Sequence, residues 1–261
     1  MKNYRIAVIG LGAIGTVLAA ALLRKDPKTI LVVRSNGMGK TLFKEGIRVS
    51  GAISYFVPVE KYCGSIQDLG QDRPNLIFIS TKTCDLARVL DELATVFKPG
   101  TKIVSTHNGL GTEDLISERF GADSAFRMSL NLGVARIGPG QVKAAFFNPP
   151  NHLGALIPEN HKVGEDIANL FTDAGLDTAY VDEIKLHVWK KMVMKCTMAS
   201  ICAVTDKTIR EALHFPPTRE IADACFKEIV TVAAAKGYDL GENYIKQAVA
   251  YLEEAGVHKD S

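Results

Sequence analysis

Gly10-Leu11-Gly12-Ala13-Ile14-Gly15 has the spacing G-x-G-x-x-G, follows the apolar run Ile6 to Ile9 and opens a helical run from Thr16 to Leu23. Gly10 permits a tight turn, Gly12 leaves room for backbone amides to approach a pyrophosphate at the helix N-terminus, and Gly15 lets that helix pack closely on the strand. The strand before the motif and the helix after it argue against an incidental glycine-rich turn, so a dinucleotide is the expected ligand. The next apolar run, Leu31-Val32-Val33, is followed by Arg34 and Ser35 instead of the acidic residue that would accept a ribose 2′-hydroxyl. A guanidinium offers a planar fork to a 2′-phosphate, and no nearby carboxylate is expected to compete. NADP is therefore expected over NAD, the alternative being that Arg34 is a solvated surface arginine.

Two further polar segments follow apolar runs: Ser80-Thr81-Lys82 and His107-Asn108-Gly109-Leu110-Gly111. Ligands of open parallel sheets bind at the carboxyl ends of the strands, where Lys82 can reach phosphate and Asn108 can reach nicotinamide or substrate. Each is equally readable as a turn residue, Asn-Gly being a common loop dipeptide. Farther on, Trp189-Lys190-Lys191 leads a helix whose buried face is expected to be Met192, Cys196, Ala199 and Ala203, with Lys191 and Lys195 one turn apart beside it. A lysine against an apolar cleft can neutralise a carboxylate and protonate an oxygen that is gaining charge. A lysine run on a helix is more often a solvated face. Gly37-Met38-Gly39-Lys40-Thr41 resembles a triphosphate-binding loop only superficially: Arg34 stands where that motif needs its first glycine, and a turn opening a helix is the better reading.

These residues must be carried by strands alternating with helices. Strands are expected at Arg5 to Ile9, Thr29 to Val33, Leu76 to Ser80 and Lys102 to Thr106, with helices at Ala13 to Leu23 and Leu86 to Phe97. The strands are apolar throughout, as in a parallel sheet covered on both faces. Gly133, Gly138-Pro139-Gly140 and Asn148-Pro149-Pro150 mark hairpins and a passage out of the first domain. The expected division is therefore residues 1–158, a doubly wound Rossmann-type α/β domain, and residues 159–261, a smaller all-helical domain for substrate and dimerisation. Helices are expected there at Val163 to Ala174, Glu183 to Val204 and Thr218 to Lys236, with Ile221, Cys225, Ile229 and Val232 on one face of the last.

A formal net charge of +2 over 261 residues gives no polybasic field for nucleic acid or an anionic membrane. The five cysteines form no C-x-x-C pair, which argues against a bound metal and fits buried fillers in a reducing compartment. The N-terminus lacks the pattern of a signal peptide, and no segment is long and apolar enough to span a bilayer, so a cytoplasmic protein acting on a small molecule is expected.

Taken together, these residues resemble the ketopantoate reductase (2-dehydropantoate 2-reductase) family: Gly10-x-Gly12-x-x-Gly15, Arg34, Lys82 within Thr81-Lys82-Thr83, His107 to Gly111, Gly138-Pro139-Gly140 and Trp189-Lys190-Lys191. The resemblance implies an NADPH-dependent oxidoreductase with a Rossmann domain followed by an all-helical one, reducing ketopantoate to pantoate for pantothenate and coenzyme A. It implies that Gly10 to Gly15 (including Leu11, Ala13 and Ile14), Arg34, Lys82, Asn108 and Ala135 bind the cofactor. It also implies that Lys191 is the proton donor, and that Asn108, Lys191, Lys195 and Ser261 face the substrate.

This sequence departs from the family pattern in carrying Lys195 and Ala199 where the family has asparagines, and in ending at Ser261, ahead of an acidic stretch and final helices. These departures keep two other functions open: an NADPH reductase of another 2-oxo acid, which an extra cation at Lys195 would suit, and a catalytically impaired NADP-binding regulator. The apolar second-domain helices can pack within one chain or across a homodimer, the latter slightly favoured.

Overall fold

The computed structural model describes residues 4–255. The chain forms two compact units, residues 1–184 and 185–261.

The first unit begins with β1 (Ile6–Ile9), α1 (Ala13–Lys25), β2 (Ile30–Val32), α2 (Asn36–Glu45), β3 (Ile47–Gly51), β4 (Tyr55–Val57), β5 (Tyr62–Cys63) and α3 (Leu69–Asp72). It continues through β6 (Leu76–Ile79), α4 (Leu86–Ala94), β7 (Lys102–Ser105), α5 (Thr112–Phe120) and β8 (Ala125–Ser129). It closes with β9 (Leu132–Gly138), β10 (Gln141–Phe147), β11 (Asn151–Ala155), α6 (His161–Asp173) and β12 (Thr178–Tyr180). The large sheet runs β12-β11-β8-β7-β6-β1-β2-β5. Its strands from β8 to β5 are parallel, and β11 joins β8 antiparallel.

The expected doubly wound α/β fold is present, and the physics of its strands is the one their composition indicates. In β1, Ile6 and Val8 face one core with Leu18, Leu22, Phe78 and Phe171, while Ala7 and Ile9 face the other with Ile77, Ile79, Leu90 and Leu93. A strand covered on both faces needs no alternation of polar and apolar residues. Phe171 of α6 meets Phe78 of β6 edge-on at 5.2 Å between ring centroids, a favoured aromatic geometry.

A second sheet, ordered β4-β3-β10-β9, packs against the first core through Val49, Val57 and Val142. It explains why α1 is buried along its whole length from Gly15 to Leu23: the helix touches β1 on one side and β3, β4, β9 and β10 on others. The segment beginning at Asn36 is a helix with Ser35 as its N-cap, whose Oγ accepts from the Met38 amide at 3.3 Å, consistent with the rejection of a triphosphate loop.

The boundary expected near Pro158 lies farther along. Strand β12 pairs with β11 parallel, and α6 packs between β12 and the first core, so residues 159–184 belong to the first unit.

The second unit carries α7 (Ile184–Thr205), which enters it from the last residue of the first, then α8 (Ile209–His214), α9 (Pro216–Ala235) and α10 (Tyr244–Ala255). A capping box starts α8: Thr208 accepts from the Glu211 amide and Glu211 accepts from the Thr208 amide. The expected buried face of α7 is corrected: Val193, Thr197, Met198, Ile201 and Cys202 are buried, while Cys196 and Ala203 are exposed and Met192 and Ala199 only partly covered. The chosen stripe and the actual one are both apolar, and packing against Leu213, Phe226 and Leu252 selects the latter. On α9 the buried residues are Thr218, Ala222, Phe226 and Ala233, which leaves Ile221 54% and Val232 50% exposed.

Cysteines as buried fillers are also corrected, since Cys84 and Cys196 are exposed, Cys63 and Cys225 partly covered, and only Cys202 buried. Among the described residues, no helix is long and apolar enough to cross a membrane, and no group of His, Cys, Asp or Glu is arranged to hold a metal.

Candidate active site

The chemistry of the first unit gathers at the carboxyl ends of β1, β2, β6 and β7. At the end of β1 the chain reverses through Gly10, whose φ is +94° and whose missing Cβ would fall 2.7 Å from the Thr81 amide nitrogen. Only glycine fits that turn. A Cβ on Gly15 would lie 1.8 Å from the Gly10 carbonyl oxygen, so the first turn of α1 rests directly on the turn that precedes it. Gly12 differs, because no heavy atom of the described residues comes within 4 Å of a Cβ built on it. Packing does not require glycine there, but close approach of a ligand to the backbone would. Gly12 caps α1 without a side-chain hydrogen bond, and the first turn holds no acidic residue. The leading amides of α1, including those of Ala13 and Ile14, thus face open space with the positive end of the helix dipole behind them. Beside them the Thr81 hydroxyl is buried without a hydrogen-bond partner among the described residues. An anionic pyrophosphate suits this cradle, and the Leu11 side chain in its turn is buried in the core.

Beyond β2, Arg34 is 80% exposed and its Nη2 lies 2.7 Å from Asp85 Oδ2. Asp85 follows β6 by six residues and also faces Arg88 at 3.7 Å. The expectation that no carboxylate competes for Arg34 is therefore corrected: one does, from a segment 51 residues away in sequence. Lys82 is exposed in the same segment. At the end of β7, Asn108 is exposed between buried His107 and partly buried Gly109. Ala135 lies apart from this edge, on β9 of the second sheet, paired with Lys143 of β10.

Beneath Asn108 is a polar cluster that sequence reading missed. Arg127, on β8, is 1% exposed and pairs with Glu113, 3% exposed, at 3.4 Å. Its guanidinium donates to the His107 and Gly109 carbonyls and to the Ser105 and Thr112 hydroxyls. Ser105 Oγ in turn lies 2.9 Å from His107 Nδ1. Burial, and secondarily the Arg127 charge, lower the His107 pKa to about 4, which keeps the ring neutral at physiological pH. The signal in the sequence is an arginine in a strand reading Ala-Phe-Arg-Met-Ser, since an isolated charge in an apolar strand must find a partner where it is buried.

In the second unit, Lys191 and Lys195 are partly buried on α7. Trp189 lies 5.8 Å from the Tyr238 ring, and the Tyr244 hydroxyl donates to the Lys190 carbonyl, so α10 and the chain before it fix this turn of α7. Burial raises the pKa of Tyr244 and keeps it a donor. Ser261 lies outside the described residues.

Known proteins are similar to this chain over both of its units. Residues 6–156 match the family model described as ketopantoate reductase PanE/ApbA, and residues 183–261 match its C-terminal counterpart. A 2-dehydropantoate 2-reductase of Streptococcus pyogenes serotype M3 is 26% identical over 256 residues, covering 97% of this chain and 81% of that protein. One from Archaeoglobus fulgidus is also 26% identical, over 247 residues, covering 92% of this chain and 77% of its own. Among solved structures, 2-dehydropantoate 2-reductase from Geobacter metallireducens GS-15 superposes with a TM-score of 0.88 at 24% identity, covering 98% of this chain and 85% of that one. D-Mandelate dehydrogenase in complex with NADH and anilino(oxo)acetate gives a TM-score of 0.86 at 20% identity, covering 98% and 83%. At these identities the two structures speak for the fold.

The lowered His107 pKa has a consequence for stability. The unfolded ring protonates near its ordinary value of 6.5 and the folded ring near 4, so the unfolded chain takes up more protons as the pH falls between them. Stability contributed by the neutral ring is full above that window and declines through it, by about 3 kcal/mol in all. Thermal unfolding of wild type and His107→Gln should show a steeper acid loss of Tm in the wild type between those two pH values; parallel losses would mean that the ring is not held neutral.

Proposed function

The chain belongs to the ketopantoate reductase family, and from this we propose that it reduces 2-dehydropantoate to pantoate, using NADPH in preference to NADH. The family match over both units carries the reading, and the open cradle at Gly12 supports it by offering the dinucleotide a place.

In this proposal the Ala13 and Ile14 amides, with their neighbours in the turn from Gly10 to Gly15, hold the pyrophosphate, and Arg34 and Lys82 neutralise the phosphate at the adenosine end. The bound cofactor supplies a hydride to the carbonyl carbon of the 2-oxo acid. Asn108 holds nicotinamide and substrate with its amide. Lys191 donates a proton to the carbonyl oxygen as that oxygen gains charge, completing the 2-hydroxy acid, and its ammonium stabilises the charge until transfer is complete. Lys195, one turn along α7, supplies a second cation for the substrate carboxylate. Ala135 belongs to the proposed cofactor contacts from the second sheet. A homodimer is supported by the apolar side chains of Ile221 and Val232 exposed on α9.

A second reading, in which NADH is the preferred cofactor, is favoured by one observation: Asp85 already engages Arg34, and an acidic group in that place suits a ribose hydroxyl better than a phosphate. Oxidation of NADPH and of NADH, each measured with ketopantoate, separates the two.

Lys191→Ala should lower kcat by about 10²- to 10⁴-fold with dinucleotide binding retained; an unchanged kcat would remove Lys191 from proton transfer. For the cofactor, Arg34→Ala should weaken NADPH about tenfold or more while sparing NADH. Asp85→Asn should shift preference farther toward NADPH, because it frees Arg34. Equal effects of Arg34→Ala on both cofactors would exclude a 2′-phosphate contact.

A further inference from the structure

We propose that Arg127 is a positioning residue for Asn108, clamping the carbonyls of the two residues that flank it. The inference rests on the reading of Asn108 as a contact to cofactor and substrate, and it concerns a residue that touches neither.

Arg127 sits among buried Ala125, Phe126, Met128 and Ser129, in a strand where an apolar side chain would satisfy packing. Removing a guanidinium and a carboxylate from water is costly, and a buried ion pair is by itself a weak source of stability. The bonds themselves indicate another use. One nitrogen, Nη2, donates to the carbonyl of His107 and, at 2.9 Å, to that of Gly109. These are the residues immediately before and after Asn108, so a single planar group holds the peptide that enters Asn108 and the carbonyl of the residue that follows it. The other nitrogen, Nη1, donates to Thr112, the first residue of α5, and to Ser105 Oγ, at the end of β7, at 3.1 Å. Both anchors of the loop are thereby tied to the same cation.

Ser105 Oγ and Thr112 Oγ1 lie 2.7 Å apart and close the ring beneath the loop. Glu113, in the first turn of α5, balances the charge from 3.4 Å. With its exposed side chain, Asn108 is the one residue between these anchors that combines an amide head with access to solvent. The planar fork of arginine can hold two carbonyls and two hydroxyls at once; the compact ammonium of lysine cannot reproduce that spacing.

The test compares wild type, Arg127→Lys, Asn108→Ala and the double variant. Hydrogen exchange of the cofactor-free proteins reads the loop, and steady-state turnover of ketopantoate with NADPH reads the site. Arg127→Lys is expected to speed amide exchange across residues 107–111 by about tenfold and to lower kcat by at least about tenfold. In the Asn108→Ala background the same change should cost less than about twofold, since the residue through which it acts is already gone. Equal loss of kcat in both backgrounds, or wild-type exchange in Arg127→Lys, would overturn the proposal.

Should Arg127→Lys fail to fold, Glu113→Gln weakens the hold on the guanidinium at constant volume. It is expected to move exchange and kcat in the same direction by a smaller factor, and no movement would count against the clamp. If the wild type turns over no 2-oxo acid, the proposed function fails, while the exchange comparison still decides whether Arg127 orders the loop.

Discussion

The contact between Gly10 and Gly15 is the constraint on which the rest of the first unit depends. It brings α1 down onto the turn leaving β1, at a separation that excludes a side chain on Gly15, while Thr81 excludes one on Gly10. That close approach aims the amino end of α1 along the carboxyl edge of the parallel sheet. It also buries α1 between the large sheet and the small one, which is why nine consecutive residues of the helix are covered. A helix buried on all sides can be rich in alanine and leucine, with no polar stripe.

The same edge also collects polar groups that an apolar sheet would ordinarily exclude. Ser80 and Thr106 bond each other at 2.8 Å, and Thr106 donates to the Ile79 carbonyl at 3.0 Å. One strand farther on, the cluster around Arg127 carries a charged pair into the interior. The apolar strands provide a rigid frame, and the hydrogen-bonded groups at their ends set the direction of the loops. Gly12 and Asn108 remain open because their neighbours are so fully engaged: Gly10 and Gly15 by packing, His107 and Gly109 by Arg127.

In the second unit, position is set by helix packing instead of strand register. The turn of α7 that bears Lys191 is held at the Lys190 carbonyl by Tyr244 and beside Trp189 by Tyr238. The lysines themselves are only partly covered, and buried Val193 and Thr197 on the adjacent face determine where they point. A lysine on a long helix gains its orientation from the residues that pack the helix.

The sequence by itself determined the parallel sheet, the glycine cradle and the polar loops at the strand ends, because each is local: a motif or apolar run is read within a few residues. It also carried the resemblance through His107 to Gly111 and Trp189 to Lys191. Tertiary structure decided what depends on residues far apart in the chain. The domain boundary moved past Pro158 because β12 finds β11, and the small sheet pairs β3 with β10, nearly a hundred residues on. The buried face of α7 escaped prediction because that helix is apolar on more than one side, and periodicity then has no single solution. Asp85 meeting Arg34, and Arg127 bracketing Asn108, were invisible for the same reason: an ion pair or a hydrogen bond is fixed by distance in space, and sequence spacing encodes that distance only within one helix or strand.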